Sequence, residues 1–199
     1  MHKGLGLVAD VFNHFDFDKL PGDTSLGHVR YTTAGSNRLM NVQPFYAETA
    51  SGEFGLAHNG NLTNVERLRA QLIADGAIFA STSDTEVIQH LIARGPQGVP
   101  RVETIINALN QIEGAYSLLL MYDDRMFAVR DPKGFRPLAI GRLDDAWVFA
   151  SETCAFDLIG ATYERDVQPG EIFEVTRDGK TQSYFPFGVT KESPCIFEY

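Results

Sequence analysis

The alternation of apolar and polar residues divides the chain into a β-rich start, a helical middle and a β-rich end. Residues 1–8 are a short apolar run that predicts a strand. In the stretch Val11 to Leu20, Phe12, Phe15 and Phe17 are spaced to pack under a short helix, and Pro21-Gly22-Asp23 marks a turn. Ser25 to Thr33 has the alternation and β-branched content of a second strand, with Leu26, Val29 and Tyr31 as core candidates and His28 and Arg30 on one face. A further apolar run enters Phe54-Gly-Leu-Ala-His-Asn-Gly-Asn-Leu62, and the helix-start pattern Thr63-Asn-Val-Glu66 follows. His58, Asn59, Gly60 and Asn61 should therefore lie where a strand gives way to a helix.

Three helices come next. Thr63 to Gly76 carries a capping box at Thr63 and Glu66, with Val65, Leu68, Leu72 and Ile73 on one side. Ser83 and Glu86 form a second box ahead of Val87, Ile88, Leu91 and Ile92, with Asp84 in the first turn. Val102, Ile105, Ile106, Leu109 and Ile112 repeat at helical spacing until Gly114 closes the third. Beyond it the period changes to two. Residues 115–122 with 126–130, 137–141 with 146–150, and 171–175 with 181–185 predict three hairpins, and 151–161 a short helix carrying a buried Cys154. The fold class is mixed α+β: two antiparallel sheet regions, early and late, with the helices between them.

Composition narrows the chemistry. A hydrophobic content of 44% over 199 residues suits one domain with a sizeable core. A net charge of -9 with no Lys/Arg cluster argues against a nucleic-acid partner. No run is long and apolar enough for a membrane span, and the brief apolar start lacks a signal-peptide core, so a cytoplasmic location is the expectation. Cys154 and Cys195 do not make a disulfide framework, and no Gly-rich phosphate loop, paired-cysteine motif or His-Glu-x-x-His pattern is present. Both ends read as cut, so a longer parent chain is expected. Taken singly, the polar residues have bland readings beside chemical ones. Asn59-Gly60 suits either a hairpin turn or a backbone approach to a ligand; Asp84 either steadies a helix start or binds a cation. Arg30 and His28 read alone as a rim arginine and a structural histidine, and residues 130–137 as an ion-pair knot.

Five segments change this weighting when read in order. Gly27-His-Val-Arg-Tyr-Thr-Thr-Ala-Gly35, Ala57-His-Asn-Gly-Asn-Leu62, Thr82-Ser-Asp-Thr-Glu86, Val129-Arg-Asp-Pro-Lys-Gly-Phe-Arg-Pro-Leu138 and Ala150-Ser-Glu-Thr-Cys-Ala155 closely resemble the class II glutaminase domain of glutamine phosphoribosylpyrophosphate amidotransferases. The resemblance spans nearly the whole chain. It implies a four-layer αββα sandwich of the N-terminal-nucleophile type over residues 1–190, with 191–199 starting a link to a phosphoribosyltransferase domain. It also implies glutamine as substrate, and ammonia passed to phosphoribosylpyrophosphate in the first step of purine synthesis by a homo-oligomeric parent.

In that resemblance Arg30 grips the glutamine α-carboxylate, Asp84 receives the α-ammonium, Asn59 and the Gly60 N–H form the oxyanion hole, and Thr33 helps hold the substrate. The family nucleophile is a cysteine at the mature N-terminus, whereas this sequence has no cysteine before Cys154. These residues are thus expected to recognise glutamine without hydrolysing it. Cys195 resembles one ligand of the iron–sulfur cluster that some members hold, any Mg²⁺ belongs to the acceptor domain, and this domain alone is expected to bind no cofactor. The alternatives are the glutaminase domain of another class II amidotransferase and a nucleophile-less glutamine-binding or regulatory module.

Overall fold

The computed structural model describes residues 1–30, 38–50, 52–188 and 193. The expected strand over residues 1–8 does not form. The chain instead makes a short helix α1 (Val8–Phe12) and a one-turn 3₁₀ helix (Phe17–Lys19). The rings of Phe12, Phe15 and Phe17 pack on one another, and Phe12 and Phe15 also pack on His2. Residues 25–30 also stay outside any ladder, and Val29, expected in the core, is 75% exposed. Alternation signals only a capacity for strand, which needs a partner for its N–H and C=O groups, and these segments find none among the described residues. Leu26 does pack, against Gly55. Tyr31 and Thr33 lie outside the described residues.

Two strands the periodicity did not predict bracket the β framework. β1 (Phe45–Thr49) pairs with β2 (Gly52–Leu62), and far along the chain β7 (Thr162–Asp166) joins a second sheet. Between them, α2 (Val65–Ala74), α3 (Asp84–Ala93) and α4 (Arg101–Leu109) form where the 3.6-residue pattern places helices. Details differ. Ile73 is half exposed, and Gly114 opens the next strand rather than closing α4. Thr63 and Glu66 form no capping box: Asn64 is the N-cap residue, and the Thr63 hydroxyl donates to the Glu113 carbonyl. At α3 only half of the box forms. Ser83 accepts from the Thr85 N–H, while Glu86 turns to the N–H groups of Ala80 and Ser81.

The strands β3 (Gly114–Met121), β4 (Arg125–Arg130), β8 (Ile172–Thr176) and β9 (Thr181–Tyr184) complete a six-stranded antiparallel sheet in the order β1-β2-β3-β4-β8-β9. β5 (Ala139–Leu143) and β6 (Ala146–Ala150) form a three-stranded sheet with β7, in the order β6-β5-β7. The expected division into early and late sheets is therefore wrong: strands from both ends share the larger sheet, because the 3.6-period block between them covers one of its faces. Leu68, Leu72, Val87, Ile88, Leu91 and Ile105 meet Leu56, Leu62, Leu118, Leu120, Phe127 and Ile172 there. Ala128 and Phe173, pointing the other way by strand alternation, meet Leu138, Ile140 and Val167 in a second core between the sheets. A short α5 (Cys154–Ile159) covers the outer side, with Phe156 against Gly141. Helices, sheet, sheet and helix give the four layers of the αββα sandwich.

Two local expectations are settled by contacts. The Arg130 guanidinium donates to the carbonyls of Gly134, Arg136 and Val167, and Asp131 accepts from the N–H groups of Tyr116, Lys133, Phe135 and Arg136. The loop is a knot in which Arg130 and Asp131 are tied to backbone groups. Cys154, expected to be buried, is exposed at the start of α5. Among the described residues no helix is long and apolar enough to cross a membrane.

Candidate active site

The site forms on the last turn of pleat of β2. His58, Asn59, Gly60 and Asn61 make neither a hairpin turn nor a loop, because all four stay in the strand, opposite Leu118, Ser117, Tyr116 and Ala115 of β3. Strand parity then sorts their groups. Tyr116 gives its carbonyl to the Asp131 N–H, so its backbone faces β4 and its pairing with Gly60 is of the non-hydrogen-bonded kind. The Gly60 N–H accordingly points out of the opposite edge of β2, past the end of β1.

Along that edge the flanking groups are already engaged. The Gln43 carboxamide takes the place of a partner strand at His58, accepting its N–H at 2.7 Å and donating to its carbonyl at 3.1 Å. Two residues beyond Gly60, the Leu62 N–H donates to Asp84 Oδ2 at 3.2 Å. Gly60 and the Leu62 N–H that Asp84 accepts thus share one strand edge, spaced by two residues or roughly 7 Å along it. Asn59, of opposite parity, points between the sheets and donates from Nδ2 to Ser151 Oγ at 3.1 Å.

Gly60 is required here for space. A Cβ on it would lie 2.1 Å from the Ala115 carbonyl oxygen, 2.7 Å from His58 Nε2 and 2.8 Å from Tyr116 Cα. The anticipated close approach is thus made by the neighbouring strand and the histidine ring.

His58, on the helix side, is 3% exposed. Its Nδ1 lies 3.3 Å from Thr85 Oγ1 and 3.6 Å from Asp84 Oδ1, while Nε2 is buried with no hydrogen-bond partner among the described residues. Burial raises the Asp84 pKa, but the His58 hydrogen bond and charge and the N–H groups of Leu62 and Thr85 outweigh it, so the net shift is downward. The carboxylate stays ionised, with Oδ1 towards the imidazole. His28 is pushed down to about 4 by burial, and then by the charges of His58 and Arg30. Arg30, two residues beyond His28, is exposed.

The structure therefore sets Asn59, Gly60 and Asp84 around the last residues of β2 and leaves Arg30 exposed, while Thr33 and Cys195 lie outside the described residues. It adds Gln43, His58, Thr85 and Ser151, which sequence reasoning left out or treated as scaffold. Ser151 stood in a quoted motif, but Gln43 carried no local signal. Among the described residues no group of three or more His, Cys, Asp and Glu is placed to hold a metal ion.

Two antiparallel sheets face to face between helical layers, as in the structural neighbours, define an αββα domain of the N-terminal-nucleophile amidotransferase type. Comparison supplies the particular family: residues 28–157 match the family described as glutamine amidotransferase domain, and the chain belongs to it. Amidophosphoribosyltransferase 2 of Arabidopsis thaliana, chloroplastic by name, is 52% identical over 198 residues, covering 98% of this chain and 35% of the relative. Amidophosphoribosyltransferase of Bacillus subtilis is 44% identical over 199 residues, covering 100% of this chain and 41% of the relative. The solved glutamine phosphoribosylpyrophosphate amidotransferase from B. subtilis, complexed with ADP and GMP, aligns with a TM-score of 0.91 at 43% identity over 99% of this chain and 42% of that one. The chain thus spans well under half the length of these relatives.

Proposed function

We propose that the chain is the glutamine-hydrolysing part of an amidophosphoribosyltransferase, supplying ammonia for phosphoribosylamine formation from phosphoribosylpyrophosphate at the start of purine synthesis. The observation that carries this is the shared edge of β2, where the Gly60 N–H points outward two residues from the Leu62 N–H that an ionised Asp84 accepts. Asp84 Oδ1 receives the α-ammonium, Arg30 the α-carboxylate through its planar fork, and Thr33 helps hold that end. The carboxamide carbon then lies beside Asn59 and Gly60. When a thiolate attacks it, the carbonyl oxygen gains charge, and two fixed donors stabilise that charge more than they stabilise the neutral substrate.

Collapse of the tetrahedral adduct releases ammonia and leaves a thioester that water hydrolyses to glutamate. The reading assigns the thiolate to an N-terminal cysteine with its own α-amine as base. Cys154 and Cys195 are both internal and offer no such amine. Residues 1–190 form the glutaminase unit in this reading, and 191–199 begin the link to a phosphoribosyltransferase domain that holds any Mg²⁺. Cys195 is one of four cysteine ligands of an iron–sulfur cluster whose other ligands lie in that domain. The parent is a cytoplasmic homo-oligomer.

Calorimetry on the 199-residue chain tests the clamp. Glutamine should bind with no turnover, and Asp84→Asn or Arg30→Ala should weaken binding at least about 10-fold, as expected for loss of a charge-assisted contact. Wild-type affinity in both variants would remove the clamp, and turnover well above a blank would remove the assignment of the nucleophile.

A further inference from the structure

We propose that Ser151 is a positioning residue for glutamine hydrolysis, aiming the Asn59 carboxamide into the oxyanion hole; this rests on the reading of Asn59 and Gly60 given above. A carboxamide has two N–H groups and one C=O, and rotation about its last side-chain bond exchanges them at little cost. An oxyanion-hole amide must present N–H every time. Here one N–H of Asn59 donates to Ser151 Oγ at 3.1 Å, which holds the carboxamide in this orientation and directs the second N–H along the amide plane.

Ser151 can hold that aim because it is itself held. It follows Ala150, the last residue of β6, which pairs with Ala139 of β5. Just before Ala139, the Pro137 carbonyl accepts the Ser117 hydroxyl at 3.0 Å. Ser117 is the cross-strand partner of Asn59. One cross-strand pair of the large sheet therefore grips both ends of the open side of the β5–β6 hairpin, so the small sheet is registered on the large one beside the proposed hole. Ser151 touches no substrate in this arrangement and acts through Asn59.

The test is steady-state glutaminase kinetics on the protein as its gene encodes it. Asn59→Ala should lower kcat about 10²–10³-fold. Ser151→Ala should lower it about 10-fold or more, as a displaced donor does, with KM for glutamine within about twofold. Ser151→Thr, which keeps the oxygen, should recover most of the loss, and Ser151→Ala should cost nothing further in an Asn59→Ala background. Ser117→Ala, which removes only the neighbouring tie, is the control for sheet registration. A Ser151→Ala loss that persists without Asn59, or that Ser117→Ala matches, would make the hydroxyl merely structural and overturn the proposal. Unchanged kcat in Asn59→Ala would instead sink the oxyanion reading itself. A second readout needs no turnover: in the 199-residue chain one Asn59 side-chain proton should exchange slowly by NMR, and Ser151→Ala should erase that protection. Equal exchange of both protons in the wild type would also overturn the proposal.

Discussion

Replacing Gly60 by alanine adds one carbon where the fold has no room for it. The new Cβ would sit 2.1 Å from the Ala115 carbonyl oxygen and 2.8 Å from Tyr116 Cα, both in the backbone of β3, and 2.7 Å from His58 Nε2. Backbone in the middle of a six-stranded sheet cannot swing aside as a side-chain tip can, and His58 is pinned by Thr85 and by the Gln43 clamp on its main chain. Relief requires prising β2 from β3 at the Gly60–Tyr116 pair. Overpacking of this kind typically costs 1–3 kcal/mol, and with two backbone contacts the upper end, about 3 kcal/mol, is expected. In a domain of this size that lowers Tm by roughly 6–12 °C. Thermal unfolding by circular dichroism measures it, with Gly179→Ala as control: Gly179 has φ of +80° but open space around its Cβ position, so only about 1 kcal/mol of left-handed strain is expected. A Gly60→Ala domain melting within about 2 °C of wild type, less than 1 kcal/mol, would refute the argument from space. In the protein as its gene encodes it, the folded fraction of Gly60→Ala should also lose glutamine turnover, since the outward N–H moves with the strand.

Two further expectations concern titration. Glu171, 1% exposed, takes two hydrogen bonds from Arg165 and others from Ser183 Oγ and the Gln168 N–H. Burial raises its pKa, but these partners together carry it below the usual carboxylate value, so its contribution to stability is present above about pH 4.3 and is lost as pH falls through the lower folded value. Glu171→Gln should cost about 2–3 kcal/mol in urea unfolding at pH 7, discounted for the partly exposed arginine; a cost under about 0.5 kcal/mol would contradict the geometry. His28, pushed down to about 4 by burial and then by the charges of His58 and Arg30, should show no NMR titration between pH 5 and 8. Its unfolded form protonates near 6.5, so its contribution is full above that value and lost as pH falls towards about 4; a midpoint above about 6 would show that the segment carrying Arg30 does not pack beside His58.

Much of the local structure was legible in the residues. Helices α2 to α4, the hairpins β3–β4 and β5–β6 and the β8–β9 pair follow from 3.6- and 2-residue periods, because burying one face is a demand each segment makes by itself. The motif order singled out Asn59, Gly60 and Asp84, which the structure sets around the last residues of β2. What failed locally failed for want of partners. Residues 25–30 alternate like a strand but have no ladder among the described residues, and the Thr63–Glu66 pattern loses its cap to Asn64 and the Glu113 carbonyl.

The rest depends on which segments meet. That β8 joins β4, placing strands from both ends of the chain in one sheet, is a choice among pairings that no segment's own pattern distinguishes. The same holds in the site. A sequence can show that a glycine follows Asn59, but only the approach of β3 shows that the strand and the His58 ring leave room for nothing larger. It can show a serine after β6, but the tie between Ser151 and Asn59 joins positions 92 residues apart, and the Gln43 clamp on His58 is equally non-local. The sequence by itself determined the elements and the donor groups. The stacking of the sheets decided where each N–H points, because direction depends on the strand alongside, and that strand comes from elsewhere in the chain.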